Sequence, residues 1–300
     1  MENQRSLLLI GGTGFIGSFL SSFFLKRGWK VFVLVRNSHR LKSLIPGTEA
    51  LFGDPLKDGE WQKVVPERDL VINLVGETIF KRWTPEYKRR IWDSRVISTE
   101  KVVSALRPGQ VLFNASAVGY YGDAGEEILT EESPRGNLFV SELCEVWEKK
   151  ALEGESKGAR VLVGRFGIVM GKGGGMLSVI LPIFKLGLGG KLGSGRQWFP
   201  WIHILDLARA IEFLYYTEER GIFNITSPEP VRNEDMTKVM GKILKRPTFF
   251  PVPKIGLKIL YGELAEVIMA SARVIPQRLL RLGFKFEYES FEKAFKASIE

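Results

Sequence analysis

Three short stretches of the chain carry groups suited to chemistry. The first, LLLIGGTGFIGSFLSSFFLKRG, sets Gly11, Gly14 and Gly17 directly behind an apolar run and at the mouth of an amphipathic one. A strand turning sharply into a helix aims backbone N–H groups and the positive end of the helix dipole at an anion. Each glycine then meets a separate demand, with a tight turn at Gly11, close approach of a pyrophosphate at Gly14, and close helix packing at Gly17. Gly12, Thr13, Phe15 and Ile16 complete the loop, and Gly28 closes the helix. The second stretch, KVFVLVR, ends in Arg36, about where the adenosine ribose of a dinucleotide would lie. An acid there would bind a free 2′-hydroxyl, whereas a guanidinium favours a 2′-phosphate, so NADP(H) is expected rather than NAD(H). Ser38 and Arg40 can add to the same phosphate site or be ordinary loop residues. The third, FNASAVGYYGD at 113–123, is an apolar run that opens into a serine and two tyrosines. It is either an active site or only a strand running into a loop.

Two further loops complete the nucleotide reading. Asp54 in LFGDPL follows a short third strand and can accept a hydrogen bond from the adenine amino group, or simply form the turn common to Asp-Pro. In NLVGE, Leu74, Val75, Gly76 and Glu77 lie at the carboxyl end of a fourth strand, where the cleft of a parallel sheet takes its ligand.

The elements that must hold these loops alternate. Leu7 to Ile10, Lys30 to Val35, Leu70 to Val75, Val111 to Ala115 and Arg160 to Val163 read as strands. Phe15 to Arg27, Glu86 to Leu106 and Phe139 to Leu152 read as helices. That order predicts an α/β fold, a doubly wound parallel Rossmann sheet with helices on both faces. After Arg165 the chain becomes glycine-dense in GKGGG and KLGLGGKLGSG, so its backbone turns rather than building long elements. Ile204 to Tyr216 reads as a helix capped by Asp206, and Gly221 to Ile225 as a strand. Pro247, Pro251 and Pro253 open a last, mostly helical segment. The expected division is a nucleotide domain over 1–168, joined again by 203–226, and a smaller substrate lobe over 169–202 and 227–300.

Composition excludes several classes. The chain has 300 residues, 45% of them hydrophobic, which fits one large domain with an attached lobe. Cys144 is the only cysteine, so no internal disulfide framework or thiolate zinc cluster can form, and a reducing cytoplasm is expected. The apolar run at the N-terminus is four residues long, too short for a signal-peptide core or a membrane span, so no membrane partner is expected. A formal charge of +9 could attract nucleic acid, but the densest basic part, KRWTPEYKRRIWDSR, spaces its aromatic and aliphatic residues like an amphipathic helix. No nucleic-acid motif accompanies it, so a small-molecule substrate is the expected partner.

Taken together, GGTGFIG, NLVGE, KRW, DSRV, ASAVGYYG, CEVWE, RFGIVMG, GLGGKLGSGRQWFPWIHILD and VIPQRLLRLGFKF resemble the atypical, epimerase-like branch of the extended short-chain dehydrogenase/reductases, related to nucleoside-diphosphate-sugar epimerases. The likeness runs from about residue 6 to 296. It implies a Rossmann domain, a nucleotide cofactor and a C-terminal lobe beginning near Pro247, but no substrate. In active members of the wider superfamily a strand serine orients the substrate oxygen and a tyrosine exchanges a proton with it. A lysine four residues beyond lowers the tyrosine pKa. Ser116 matches the serine. The other two are missing: none of Tyr87, Tyr120, Tyr121, Tyr215, Tyr216, Tyr261 and Tyr288 has a lysine four residues on, and Phe139 or Val140 occupies the expected region.

Tyr121 matches the loop tyrosine that borders substrates in sugar-nucleotide epimerases. Without a lysine its phenol would keep a pKa near ~10 and make a poor base. Ser116 and Tyr121 are therefore the candidate catalytic residues, with Ser116 also beside the cofactor. The DSRV likeness implies that Arg95 turns back toward the cofactor, and Arg165 and Val169 should approach the nicotinamide end. Glu77 either faces that end or pairs with Lys81 or Arg82. Arg196, Gln197, Trp201 and His203 form a candidate substrate pocket, no metal site is apparent, and Cys144 reads as core. The chain is expected to be an NADP(H)-binding, epimerase-like oxidoreductase, a nucleotide sugar being one candidate substrate. The alternative is a catalytically retired NADP(H)-binding regulatory or scaffold protein.

Overall fold

The computed structural model describes residues 4–300. In chain order its main elements are β1 (Ser6–Ile10), α1 (Phe15–Leu25), β2 (Lys30–Val35), β3 (Glu49–Phe52), α2 (Trp61–Val64), β4 (Leu70–Asn73), α3 (Pro85–Ser104), β5 (Val111–Ala117), β6 (Ile128–Leu129), α4 (Phe139–Leu152) and β7 (Arg160–Phe166). There follow β8 (Ile168–Met170), α5 (Gly175–Lys185), β9 (Trp198–Phe199), β10 (Trp201–His203), α6 (Ile204–Tyr215), β11 (Gly221–Ile225), β12 (Val231–Arg232), α7 (Asn233–Leu244), α8 (Lys254–Tyr261), α9 (Leu264–Met269), β13 (Arg273–Val274), α10 (Gln277–Arg281) and α11 (Phe291–Ile299).

Seven strands form one parallel sheet in the order β11-β7-β5-β4-β1-β2-β3. Strands covered on both faces read as unbroken apolar runs, and SLLLI of β1 is buried at every position. On one face Leu7, Leu9 and Val33 pack with Leu20, Phe23 and Phe24 of α1 and with Leu207, Ile211 and Leu214 of α6. On the other, Leu8, Ile10, Val71 and Leu112 pack with Trp61 of α2, Val102 and Val103 of α3 and Ala151 of α4. The order reverses where β1 lies between β2 and β4, and a crevice opens beyond the carboxyl ends of strands at such a switch point.

Local chemistry sets the boundaries. Thr84 caps α3 by accepting from the Tyr87 N–H, with Pro85 in the first turn. Strand β4 stops at Asn73, two residues earlier than its apolar run suggests, because the Asn73 Oδ1 accepts from the Val75 N–H (3.2 Å) and turns the chain. Helix α5 lies between glycine runs that read as turns, and it carries Pro182 within it. Gly174 admits it: a Cβ there would lie 2.2 Å from the Phe15 ring, so the glycines of GKGGG let the second lobe close onto the head of α1.

The smaller lobe has its own core, where Leu177 and Phe184 of α5 meet Trp201, Met236, Met240, Phe291 and Phe295. The division at 227 is not clean, since Leu279 and Phe284 join the core under the sheet. Asp206 is fully buried and caps nothing. Its carboxylate accepts from the Glu287 and Tyr288 N–H groups (both 2.8 Å) and pairs with Arg209, tying the C-terminal segment to α6. The cap of α6 is His203 instead.

Candidate functional site

The glycine loop fits a pyrophosphate. Gly11 has φ 89°, a conformation that favours glycine, and a Cβ on it would lie 3.0 Å from the Leu74 carbonyl carbon, so the loops after β1 and β4 touch there. At Gly17 a Cβ would lie 2.5 Å from both the Gly11 oxygen and the Gly12 Cα. At Gly14 the nearest atom would be the Gly11 oxygen at 3.5 Å, so the space above it is open. Helix α1 has no side-chain cap and no acid in its first turn, leaving the N–H groups of Phe15, Ile16 and Gly17 without intrahelical acceptors. Thr13 is half-buried on the loop, whereas the Phe15 ring turns away toward Gly174.

Arg36 is exposed at the end of β2, its Nε 3.8 Å from the Asp54 carboxylate. Asp54 Oδ1 accepts from the Leu56 N–H at 3.1 Å, so the Asp-Pro turn is formed, and the same oxygen is the one facing Arg36. Ser38 and Arg40 lie in the short exposed helix that follows.

Beyond β4, Arg95 does turn inward. It donates to the Glu77 carbonyl (3.1 Å) and the Ile91 carbonyl (3.0 Å), and a Cβ at Gly76 would come within 2.8 Å of its guanidinium carbon. It therefore props the Leu74–Glu77 loop against the crevice, and burial holds its pKa below the usual arginine value. Val75 is buried while Gly76 is exposed. Glu77 pairs with neither Lys81 nor Arg82. Its carboxylate accepts from the Tyr87 hydroxyl (3.2 Å) and from Arg90 (3.3 Å), both on α3.

The end of β5 holds a buried polar chain. Ser116 Oγ donates to Glu148 Oε1 at 2.6 Å, and Glu148 takes a two-pronged contact from Arg165, Nε to Oε1 at 2.8 Å and Nη2 to Oε2 at 2.7 Å. Arg165 Nη1 then donates to the Tyr121 hydroxyl (2.9 Å), which lies 2.7 Å from Asn224 Oδ1 and 2.8 Å from the Thr130 carbonyl. Burial opposes the Arg165 charge, but the hydrogen bonds and charge of Glu148 more than offset it and hold the guanidinium ionised.

This chain corrects the catalytic expectation for Tyr121. The residue is 2% exposed, its hydroxyl is engaged by three protein groups, and burial pushes its pKa up to about 12 despite Arg165. It is a structural strut. Ser116 is also buried and its hydroxyl hydrogen is committed to Glu148, so it donates to a ligand only by releasing that carboxylate. Tyr120 is half-buried beneath the Arg165 guanidinium, 3.4 Å from ring centroid to Cζ.

The face of α4 turned to Ser116 carries Val140, Cys144 and Glu148 at helical spacing, all buried. Valine and cysteine thus stand four residues apart where a tyrosine and lysine would be needed. Burial, with the Glu148 charge behind it, pushes the Cys144 thiol pKa up to about 12. Glu148 and Asn224 were not legible as site residues. The available signal was an acid on the apolar face of α4 and an arginine inside the β7 run VLVGRF, since two such buried charges need each other.

The expected second-lobe pocket does not assemble. Trp201 is fully buried in the lobe core, its Nε1 donating to the Glu229 carbonyl (3.0 Å). His203 accepts from the Leu205 N–H through Nδ1 (3.3 Å), packs 4.0 Å from the Tyr288 ring, and burial lowers its pKa to about 4, so it is a neutral cap. Gln197 is buried and donates to the Leu192 carbonyl (3.1 Å). Arg196 alone is exposed. Val169 is 9% exposed, with its side chain in the core under the sheet rather than in the crevice. Among the described residues no group of three or more metal-ligating side chains forms.

Comparison with known proteins gives the family and the fold. Residues 7–226 match the NAD dependent epimerase/dehydratase family, and residues 252–298 match a domain of unknown function, DUF1731. The Arabidopsis thaliana "Epimerase family protein SDR39U1 homolog, chloroplastic" is 38% identical over 306 residues, covering 100% of this chain and 88% of the relative. An epimerase family protein of Staphylococcus haemolyticus is 35% identical over 99% of this chain and 100% of its own. Among solved structures, human epimerase family protein SDR39U1 with NADPH superposes with a TM-score of 0.87 at 30% identity, covering 98% of this chain and 99% of that one. A Thermus thermophilus UDP-glucose 4-epimerase complex with NAD, at 18% identity and a TM-score of 0.78, shares the fold.

Proposed function

Since the chain belongs to the NAD dependent epimerase/dehydratase family, as an epimerase-like short-chain dehydrogenase/reductase that binds a nicotinamide dinucleotide, we propose that it is an NADP(H)-dependent oxidoreductase acting on one small-molecule substrate without the usual proton relay. The observation that carries this reading is the open, uncapped head of α1 at Gly14, with Arg36 at the neighbouring strand end. Arg36, with Ser38 and Arg40 beside it, grips the 2′-phosphate. The first-turn N–H groups of α1 hold the pyrophosphate, and the loop propped by Arg95 lines the nicotinamide half. The related human protein was solved with NADPH, which supports the phosphorylated cofactor.

A bound nicotinamide supplies hydride transfer. The chain's own residues supply little proton chemistry: Tyr121 and Cys144 are held neutral by burial, and Ser116 is engaged with Glu148. Simple alcohols and ketones should therefore turn over negligibly, because positioned acid–base catalysis worth ~100 to 10,000-fold is absent. A nucleotide sugar is the first substrate class to test, because a similar solved structure, at 30% identity, is a nucleoside-diphosphate sugar epimerase from Corynebacterium glutamicum. A second reading, a binding protein retired from catalysis, is favoured specifically by the Ser116–Glu148 bond. Single-turnover absorbance of the nicotinamide across alcohols, ketones and nucleotide sugars separates the two. Slow turnover of one nucleotide sugar, lost in Ser116→Ala, supports the enzyme. Rapid turnover of simple ketones overturns the missing-relay account, and silence with every substrate favours the binding protein.

A further inference from the structure

Of the fifteen large apolar side chains exposed among the described residues, four lie in 175–196 and five in 245–262, two segments far apart in sequence. The structure zips them together. Arg246 Nε donates to the Lys185 carbonyl (2.8 Å), the Val252 N–H to the Lys191 carbonyl (2.8 Å), and the Gly193 N–H to the Val252 carbonyl (2.8 Å). Val179, Ile183 and Leu186 follow helical spacing along the outer face of α5 and the turn beyond it, exposed rather than buried. Across the zipper stand Phe249, 83% exposed, and Phe250, 62% exposed, and Ile255 and Ile259 continue the surface one turn apart on α8.

Charge is as one-sided as the apolarity. The same two segments hold seven lysines and arginines and no aspartate or glutamate. Among the described residues none of the seven forms an ion pair. Lys254 and Lys258 are exposed one turn apart on α8 beside Ile255 and Ile259, so this short helix presents cations and aliphatics together. Exposed phenylalanines in segments that carry unpaired lysines and no carboxylate of their own match an anionic lipid surface, where aromatic and aliphatic side chains enter the headgroup boundary and lysines meet phosphates.

We propose that this face, formed by α5, the 185–193 and 246–252 segments and α8, docks the protein on the surface of an anionic lipid bilayer. Surface docking needs no spanning helix, and among the described residues no helix is long and apolar enough to cross a membrane. The face borders the site from the lobe side: Arg82, on the loop between β4 and α3, donates to the Ile259 carbonyl (3.3 Å), so a docked protein would hold the crevice mouth near the lipid. Docking of this kind is independent of the proposed function.

Sedimentation of the full chain with vesicles tests it, comparing phosphatidylcholine alone with phosphatidylcholine containing roughly one-third phosphatidylglycerol. The expected result is binding to the anionic vesicles only, weakened by salt. Lys254→Glu/Lys258→Glu and Phe249→Ser/Phe250→Ser should each reduce it by about tenfold or more. NADPH affinity, measured on the same variants, reports that they remain folded. Equal binding to neutral vesicles, no binding to either, or binding unaffected by both double variants overturns the proposal. So does concentration-dependent self-association without lipid that Phe249→Ser/Phe250→Ser abolishes, because the face would then belong to a second copy of the chain.

Discussion

Glu148 and Arg165 show how one residue can decide both stability and the reach of a neighbour. Their side chains are 4% and 2% exposed, and each satisfies the other while Glu148 also holds Ser116. Glu148→Gln keeps the shape but leaves a buried guanidinium without its anion, which costs about 3–5 kcal/mol. Chemical denaturation should show that loss, with Glu148→Gln/Arg165→Met recovering a large part of it. A loss below about 1 kcal/mol would mean that the pair is solvated in solution. The same residues mark a limit of sequence reading. Ser116 could be found from its place at the end of an apolar run, whereas its engagement could not, because Glu148 lies 32 residues on and meets it only after α4 packs on the sheet. Tyr121 misled for the same reason: its partners Arg165 and Asn224 lie 44 and 103 residues away.

At the scale of elements, local pattern carried much more. Alternation of apolar runs and amphipathic stretches located the strands and helices of the sheet, because a strand covered on both faces must be apolar throughout. Helix α5 escaped, since glycine runs flank it and Pro182 interrupts it, so nothing local distinguished it from the turns. The head of α1 offers a discriminating pair of variants. A side chain at Gly14 fits the fold, so Gly14→Val should leave a folded protein with no measurable dinucleotide binding. Gly17→Ala instead drives a Cβ to 2.5 Å from the Gly11 oxygen and the Gly12 Cα, and should lower stability by about 1–3 kcal/mol. Circular dichroism melts and nucleotide titration on both variants check the contrast. Undiminished binding by folded Gly14→Val would place the dinucleotide elsewhere.

For the whole molecule, the nucleotide crevice and the second lobe were unequally legible. The crevice is built by short loops at strand ends, whose residue types are dictated by backbone geometry. The lobe is built by distant segments, so Trp201 and His203, which look functional as neighbours of Arg196, prove to be its core and a helix cap. The proposed cofactor preference therefore rests on the crevice and on Arg36 as the phosphate grip. Calorimetric titration of the protein with NADPH and NADH tests it most directly. A charge-assisted contact contributes about 1.5–3 kcal/mol, so NADPH should bind roughly 10- to 100-fold more tightly, and Arg36→Asp should narrow or reverse that ratio. Equal affinity for the two nucleotides in the unmodified protein would contradict it.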